Sequence, residues 1–344
     1  MVLFAGWAVR RPDPGASVGR PLGVDSLDAE AIRLHEEGRV LLREQTRVGA
    51  LQAVERFDAA ARRDPSYAGA WSGLAHALTR LHIYGSADSQ TVLPRARAAA
   101  VKAIALDPTL ADAHSALAHV LEQYDRDWDG ADASHRRAIA LDPRDAKLRQ
   151  LYALFLVSRL RVDEALAEMD RARELASTPG REEALRGVML MFAGRPTDAL
   201  AALDAAGEYL PSNSLAEYFR ALVLADLGRF DEALAAARAA RVEAGNEPTL
   251  AVGIVHALAG READAREVWR ALEAKAATSH VPATDFAMLA AALGEDDLAV
   301  RWLERAADQY GRGVPSINVH PIFRRLRAHP GYVALVKRLD LPLP

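Results

Sequence analysis

The chain has 344 residues, of which 50% are apolar, 26% charged and 6% aromatic, with a net charge of −4. That mix is too apolar for disorder, and so small a charge argues against a general nucleic-acid surface. There is no cysteine, which excludes disulfides, thiol catalysis and zinc–thiolate sites.

The opening MVLFAGWAV, with Arg10 and Arg11 behind it, is a short apolar run. A membrane span needs about 20 such residues and a secretory signal needs its basic segment in front. Neither condition holds, which leaves a disordered tail or the last turns of a membrane helix beginning upstream of Met1. RRPDPGASVGRPLG then reads as a Pro-, Gly- and Ser-rich linker, so residues 1–25 are expected to be tail.

Helix pairs follow. The first is expected to start at Asp25 or Ser26, carrying Leu34, Gly38 and Leu41, then Ala53, Phe57 and Ala60, with Gly49 taking up three extra residues in the turn. The second pair opens with Trp71, Leu74, Ala75 and Leu78, whose spacing puts them on one helical face, and continues with Ala96, Ala100 and Ala103. The step from Pro65 to Pro108 is nine residues longer than 34. The excess fits HIYGSADSQTVLP, which predicts a lengthened first helix or a projecting loop. Pair three holds Leu117, Ala118 and Leu121, then an acidic YDRDWDG segment, then Ala131 and Ala138. Pairs four to eight carry Ala165 and Ala172, Ala199 and Ala206, Ala233 and Ala240, Ala265 and Trp269, and Ala299 and Ala306.

From LDP at 141–143, steps of 34 residues reach Pro143, Ser177, Pro211 and Gly245, each a helix stopper or indifferent to helix. A fixed period of that length marks stacked helix–turn–helix units. One slot holds alanine in all eight pairs: Ala53, Ala96, Ala131, Ala165, Ala199, Ala233, Ala265 and Ala299. An alanine kept in register across insertions and deletions predicts a helix crossing where only a small side chain lets the backbones approach. The fold expected is an all-α right-handed superhelix spanning residues 26–311.

The last stretch, 312–344, has no partner at the 34-residue spacing. It is expected to form a loop, a short helical turn around Phe323–Leu326, and a helix from Pro330 to Leu339 with Tyr332, Leu335 and Leu339 on one face. A stack must cover its last open face, so this segment is read as a cap.

These residues resemble the tetratricopeptide repeat (TPR) family. AIALDPTLADAHSALAHVL, DRDWDGADASHRRAIALDP, RVDEALAEMDRA and HPIFRRLRAHPGYVALVKRLDLP are similar to the TPR region of bacterial signalling proteins. There the array follows a winged-helix regulator, a Ser/Thr kinase or a nucleotide cyclase, often with a membrane span between. The resemblance implies a sensory or protein-binding module. The chain departs from the full pattern because it holds no effector motif: no G-x-G-x-x-G, Walker or H-R-D sequence.

In that family the first helix of each unit lines the concave face. Counting from the bulky slot at Trp71 and its equivalents, the groove should be lined two residues before, one after and five after. This gives Gly69, Ser72 and His76; Asp112, Ser115 and His119; Lys147, Gln150 and Leu154; Arg181, Ala184 and Val188; and Leu215, Tyr218 and Leu222. The groove should be polar in its first half and apolar in its second, suiting a peptide with one end of each kind. The competing reading is a solvated face.

The lysine–asparagine clamp some TPR proteins use for carboxylate tails is missing from these slots, which argues against a chaperone-tail receptor. His76 and His119 occupy equivalent slots and could converge, yet two histidines without a third ligand make no metal site. His114 and His135 are expected in helix packing. Carboxylate pairs such as Asp163–Glu164, Asp231–Glu232 and Asp296–Asp297 begin successive second helices, where acids favour the helix N-terminus. That repetition argues against catalysis. RRLRAHP is a small basic cluster at a helix end, available to a membrane or an acidic partner if not merely solvated.

The chain is therefore expected to be a non-catalytic scaffold or sensory module, without catalytic residue, metal or cofactor, that binds a protein or peptide. A sensor fragment of a membrane-attached regulator is the alternative, and a metal-dependent enzyme using His76 and His119 the remote one. It is expected to bind no nucleic acid directly. A cytoplasmic location is the default, with tethering outside the cytoplasmic membrane the alternative.

Overall fold

The computed structural model describes residues 28–44, 46–84, 87–176, 180–209, 214–240 and 250–343. Sixteen helices form eight antiparallel pairs: α1 (Ala29–Arg43) with α2 (Arg47–Arg63), α3 (Ala68–Ile83) with α4 (Ser89–Leu106), α5 (Ala111–Val120) with α6 (Trp128–Leu141), α7 (Ala146–Ser158) with α8 (Val162–Leu175). The series continues with α9 (Gly180–Phe192) and α10 (Pro196–Tyr209), α11 (Ser214–Asp226) and α12 (Phe230–Ala239), α13 (Leu250–Leu258) and α14 (Glu262–Ala276), α15 (Ala283–Leu293) and α16 (Asp296–Asp308). A 3-10 turn at Val314–Ser316, a longer one at Pro321–Ala328 and α17 (Pro330–Arg338) complete the chain. Among the described residues there is no strand.

Each pair is held by its alanine. All eight slot residues, from Ala53 to Ala299, are fully buried at 0% exposure. The crossing in the fifth pair shows why nothing larger fits: a Cβ added to Gly187 on α9 would lie 2.6 Å from Leu203 Cγ and 3.1 Å from the Ala199 carbonyl. In the first pairs Phe57 does the filling. It is fully buried, and added Cβ atoms at Gly38 and Gly73 would lie 2.8 and 2.3 Å from its ring.

Two turn types alternate. After α2, α4 and α6 the chain stops at Asp–Pro, where Asp64, Asp107 and Asp142 accept from the backbone N–H two residues on (3.0, 2.9 and 3.2 Å). The following proline carbonyl accepts from the side chain six residues later: Trp71 Nε1 to Pro65, His114 Nε2 to Pro108, and Arg149 to Pro143. The bulky slot thus ties α3, α5 and α7 back to their entry turns, and His114 is half-buried with its ring nitrogen satisfied there.

Within the fourth to eighth pairs the connection is a left-handed residue: Leu160, Gly194, Gly228, Gly260 and Gly294, with φ of 61°, 72°, 76°, 73° and 84°. The next N–H then reaches back to the helix, as in Arg229 N to the Leu224 carbonyl at 2.8 Å. The third pair departs from this. A π-helical turn at Leu121–Asp125 ends α5, with Arg126 left-handed at φ 56°.

Several local expectations are corrected. Asp25 and Ser26 lie outside the described residues, and α1 is capped by Asp28, which accepts from the N–H groups of Glu30 and Ala31. Gly49 lies inside α2, in the first turn, where its N–H donates to Thr46 Oγ1. In the described part of the nine-residue excess the first helix is lengthened, one of the two outcomes expected, and the second is lengthened too, with Pro94 inside α4. Ser177, Pro211 and Gly245 fall outside the described residues.

The cap does more than cover the last pair. Tyr332, Leu335 and Leu339 are buried as anticipated, but the chain leading to them recrosses the array over the C-terminal ends of the first helices. Gln90 Nε2 donates to the Asp308 carbonyl and Arg126 to the Ala307 carbonyl. Tyr310 packs on Tyr124, with ring centroids 4.4 Å apart. Fully buried Asn318 donates to the carbonyls of Ser158 (2.9 Å) and Pro342 (2.7 Å). His320 meets Phe192, and the RRLRAHP arginines pair within the chain: exposed Arg324 with Asp226, exposed Arg325 with Asp296, and half-buried Arg327 with the Asn318 carbonyl. The basic cluster is thus a largely solvated surface with ion pairs to neighbouring helices, the reading expected over a membrane or acidic partner.

Gly228→Ala should destabilise by about 1–2 kcal/mol in urea unfolding, because an added Cβ meets nothing within 4 Å and only the left-handed backbone resists it. Gly207→Ala, inside α10 and equally unobstructed, should stabilise by about 0.5–1 kcal/mol. Equal effects of one sign would contradict this account of the turn.

Candidate functional site

The slots counted on the first helices grade from exposed to buried, with Gly69, His119, Leu154, Arg181, Leu215 and Tyr218 half-buried between the two ends. His76, Asp112 and Lys147 are open: His76 keeps 31% and Asp112 59% of the side chain exposed, and Lys147 is exposed. Ser72, Ser115, Gln150, Val188 and Leu222 are buried, as is Ala184. The slot rule treats each pair alone, whereas the position one after the bulky slot faces the first helix of the neighbouring pair. Gln150 shows this: its amide donates to Glu182 on α9 at 2.7 Å and accepts from Arg181 Nε at 3.4 Å. The anticipated polar-to-apolar gradient therefore runs largely through packed interfaces, and the open surface is the charged rim.

His76 and His119 do not join into one site. His76 Nδ1 lies 3.9 Å from Asp112 Oδ1, and His119 Nε2 lies 3.0 Å from His82 Nδ1 instead. His82 Nε2 is in turn 3.2 Å from the Tyr310 carbonyl. Since a carbonyl only accepts, His82 carries its proton on Nε2 and His119 donates to the bare Nδ1. This neutral relay joins α3, α5 and the recrossing segment. Among the described residues no group of three metal-ligating side chains is present, so the pair expected to anchor a metal-dependent enzyme lacks both convergence and a third ligand.

Deeper in, Tyr218 is half-buried against Phe219, edge to face at 5.1 Å. Arg312, from the recrossing segment, reaches Asp285 on α15 at 3.1 Å. Burial raises both the Tyr218 phenol and the Asp285 carboxyl, the latter against the pull of Arg312. His135 is buried against Tyr152 and Phe155 as packing predicts. Among the described residues no helix is long and apolar enough to cross a membrane. The N-terminal run lies outside those residues.

The histidines make the structure acid-sensitive. Burial pushes His82 down to about 4, with Arg312 and His280 adding and the Tyr310 carbonyl opposing. Burial does the same to His135 and His320, and His119 is lowered by burial and by His82, His135, Arg80 and His76. The unfolded chain, with histidines near 6.5, takes up protons first. Stability held by the neutral relay is thus complete above about pH 6.5 and is lost as pH falls toward 4. Urea unfolding from pH 7.5 to 4.5 should show that decline, with a shallower slope in His82→Gln. An unchanged slope in the variant would refute the relay.

No family model matches the chain. Among curated proteins it is 34% identical over 90 residues to the type IV pilus assembly protein PilF of Pseudomonas aeruginosa. That match covers 26% of this chain, and the chain spans 35% of the length of that relative. Yeast Tom70 superposes with a TM-score of 0.54 at 17% identity, covering 93% of this chain and 70% of Tom70. The APC/C hetero-tetramer Cut9–Hcn1 gives 0.52 at 15% identity, with 84% and 52% covered. With pairs of this geometry stacked along the chain, the fold is the all-α TPR superhelix.

Proposed function

We propose that the chain is a non-catalytic scaffold that binds a protein or peptide partner within the concave face of its superhelix, as the sensory or assembly part of a bacterial signalling system. The open charged rim of His76, Asp112 and Lys147 carries this reading: three polar side chains from three successive first helices stay accessible on the inside of an otherwise alanine-packed array. An extended or helical segment of a partner would meet all three. Further support comes from the PilF match, an assembly protein by name, and from the residues similar to the arrays of signalling regulators. The groove residues set out from the sequence enter in two roles: His76, Lys147, Arg181 and Tyr218 as surface, and Ser72, Ser115, His119, Gln150, Val188 and Leu222 as the wall that holds it.

A photo-crosslinking side chain at Asp112 or Lys147 should capture one and the same partner in cells. The same group at Val101, on the outer helix α4 and 51% exposed, should not. Once purified, that partner should bind the Lys147→Glu variant at least about tenfold more weakly, the loss of one charge-assisted contact. Capture from Val101 alone would overturn the proposal.

A further inference from the structure

A stack has two ends, and among the described residues only one of them is covered. In pairs two to eight, the residue two places after the small first-helix residue is at most 1% exposed, from Ala77 and Val120 through to Val255 and Leu289. The cover is the preceding pair, as α3 shows. Gly73 stands one turn before Ala77 on the same face, and a Cβ added there would lie 2.3 Å from the Phe57 ring of the first pair. In the first pair the equivalent residue is Val40, and it is 53% exposed. Among the described residues no element precedes α1 to lie against it. Val40 and half-buried Leu41 instead floor a shallow depression edged by Arg33, Glu36, Glu37 and Arg56.

The charges around Val40 make this face complementary to itself. Along α1, Glu36 lies four residues before Val40 and Arg43 three after, on one side of the same helical stripe. If α1 of two copies runs antiparallel with Val40 against Val40, Glu36 of each copy comes opposite Arg43 of the other. Arg43 is exposed and, among the described residues, has no ion-pair partner. On the other side of the stripe the charges pair within the chain: Glu37 holds Arg33, and Arg56 Nε lies 3.3 Å from it. A partner of one charge sign would leave half of this rim unmatched, whereas a second copy sets acid against base at both Glu36–Arg43 contacts.

We infer that the open end of the stack is a self-association surface, on which a second copy of the chain docks head to head through α1, Val40 on Val40, with Glu36 and Arg43 exchanged across a two-fold axis. Such an interface is isologous, so it closes at two copies and does not propagate into a filament. Burial of Val40 and Leu41 supplies the attraction, and the exposed ion pairs set the register. The surface uses none of the residues of the proposed binding face and stands or falls independently of it.

Sedimentation of the full chain should show a dimer that dissociates on dilution. Val40→Asp, at an exposed position and with folding checked by its unfolding curve, should weaken that dimer about tenfold or more. Glu36→Arg and Arg43→Glu should each be monomeric alone, because like charges then face each other. Mixed in equal amounts, these two variants should form heterodimers, in which both contacts again pair opposite charges. Dimers that persist unchanged in all three variants, or two charge variants that mix without associating, would overturn the interface. So would a full chain that stays monomeric at every concentration. In that case Val40→Cys, in a chain with no cysteine of its own, would show by slow thiol labelling that the chain's own residues before Asp28 cover the face, or by fast labelling that water does.

Discussion

The whole array depends on how near two helix backbones can come. At each crossing a single methyl group separates them, and eight alanines at zero exposure occupy those crossings. Replacing one by leucine would force three carbons into a fully buried position, an overpacking cost of about 1–3 kcal/mol. Because each pair leaves one face uncovered until the next pair arrives, the tight crossing propagates as a stack, and the stack curves.

The end of the stack carries the same requirement and meets it differently. Tyr332, Leu335 and Leu339 cover the last pair, but the chain between α16 and α17 runs back over pairs two to six first. Burying an apolar side chain contributes roughly 1.5–3 kcal/mol against leaving it in water. Five such residues in the recrossing segment, Val314, Ile317, Val319, Phe323 and Leu326, make it part of the core rather than a strap. The consequence is geometric: the C-terminal ends of the first helices in pairs two to six are covered by the chain's own last residues.

What could be read from the residues was what is local. The alanine register, the Asp–Pro stops, the acids at the second-helix starts and the Pro330 helix each depend on neighbours within a few positions. The first helix starts a few residues later than Asp25 or Ser26 because Asp28 is an equally good cap nearby, and Gly49 lies inside α2 because Thr46 caps that helix. The concave face was half legible. His76 and Lys147 keep some exposure, whereas Ser72, Ser115 and Gln150 are buried; for Gln150 the cause is the neighbouring pair, absent from a one-unit count. His82 was hidden twice, lying in the nine-residue excess and pairing with His119 and Tyr310, 37 and 228 residues away. The recrossing has no repeat partner and rests on contacts such as Asn318 to Ser158, 160 residues apart, which no pattern of period or composition encodes.

The closure of the array on itself is the claim on which the reading of the concave face turns, and the absence of cysteine makes it directly measurable. Spin labels placed by cysteine substitution at Gln90 and Asp308, both exposed and joined in the structure through the Asp308 carbonyl, report the separation of the second and eighth pairs. The account predicts one short, narrow distance distribution. A long, broad distribution would show an open superhelix whose C-terminal segment does not recross it, and that closure would be lost with it.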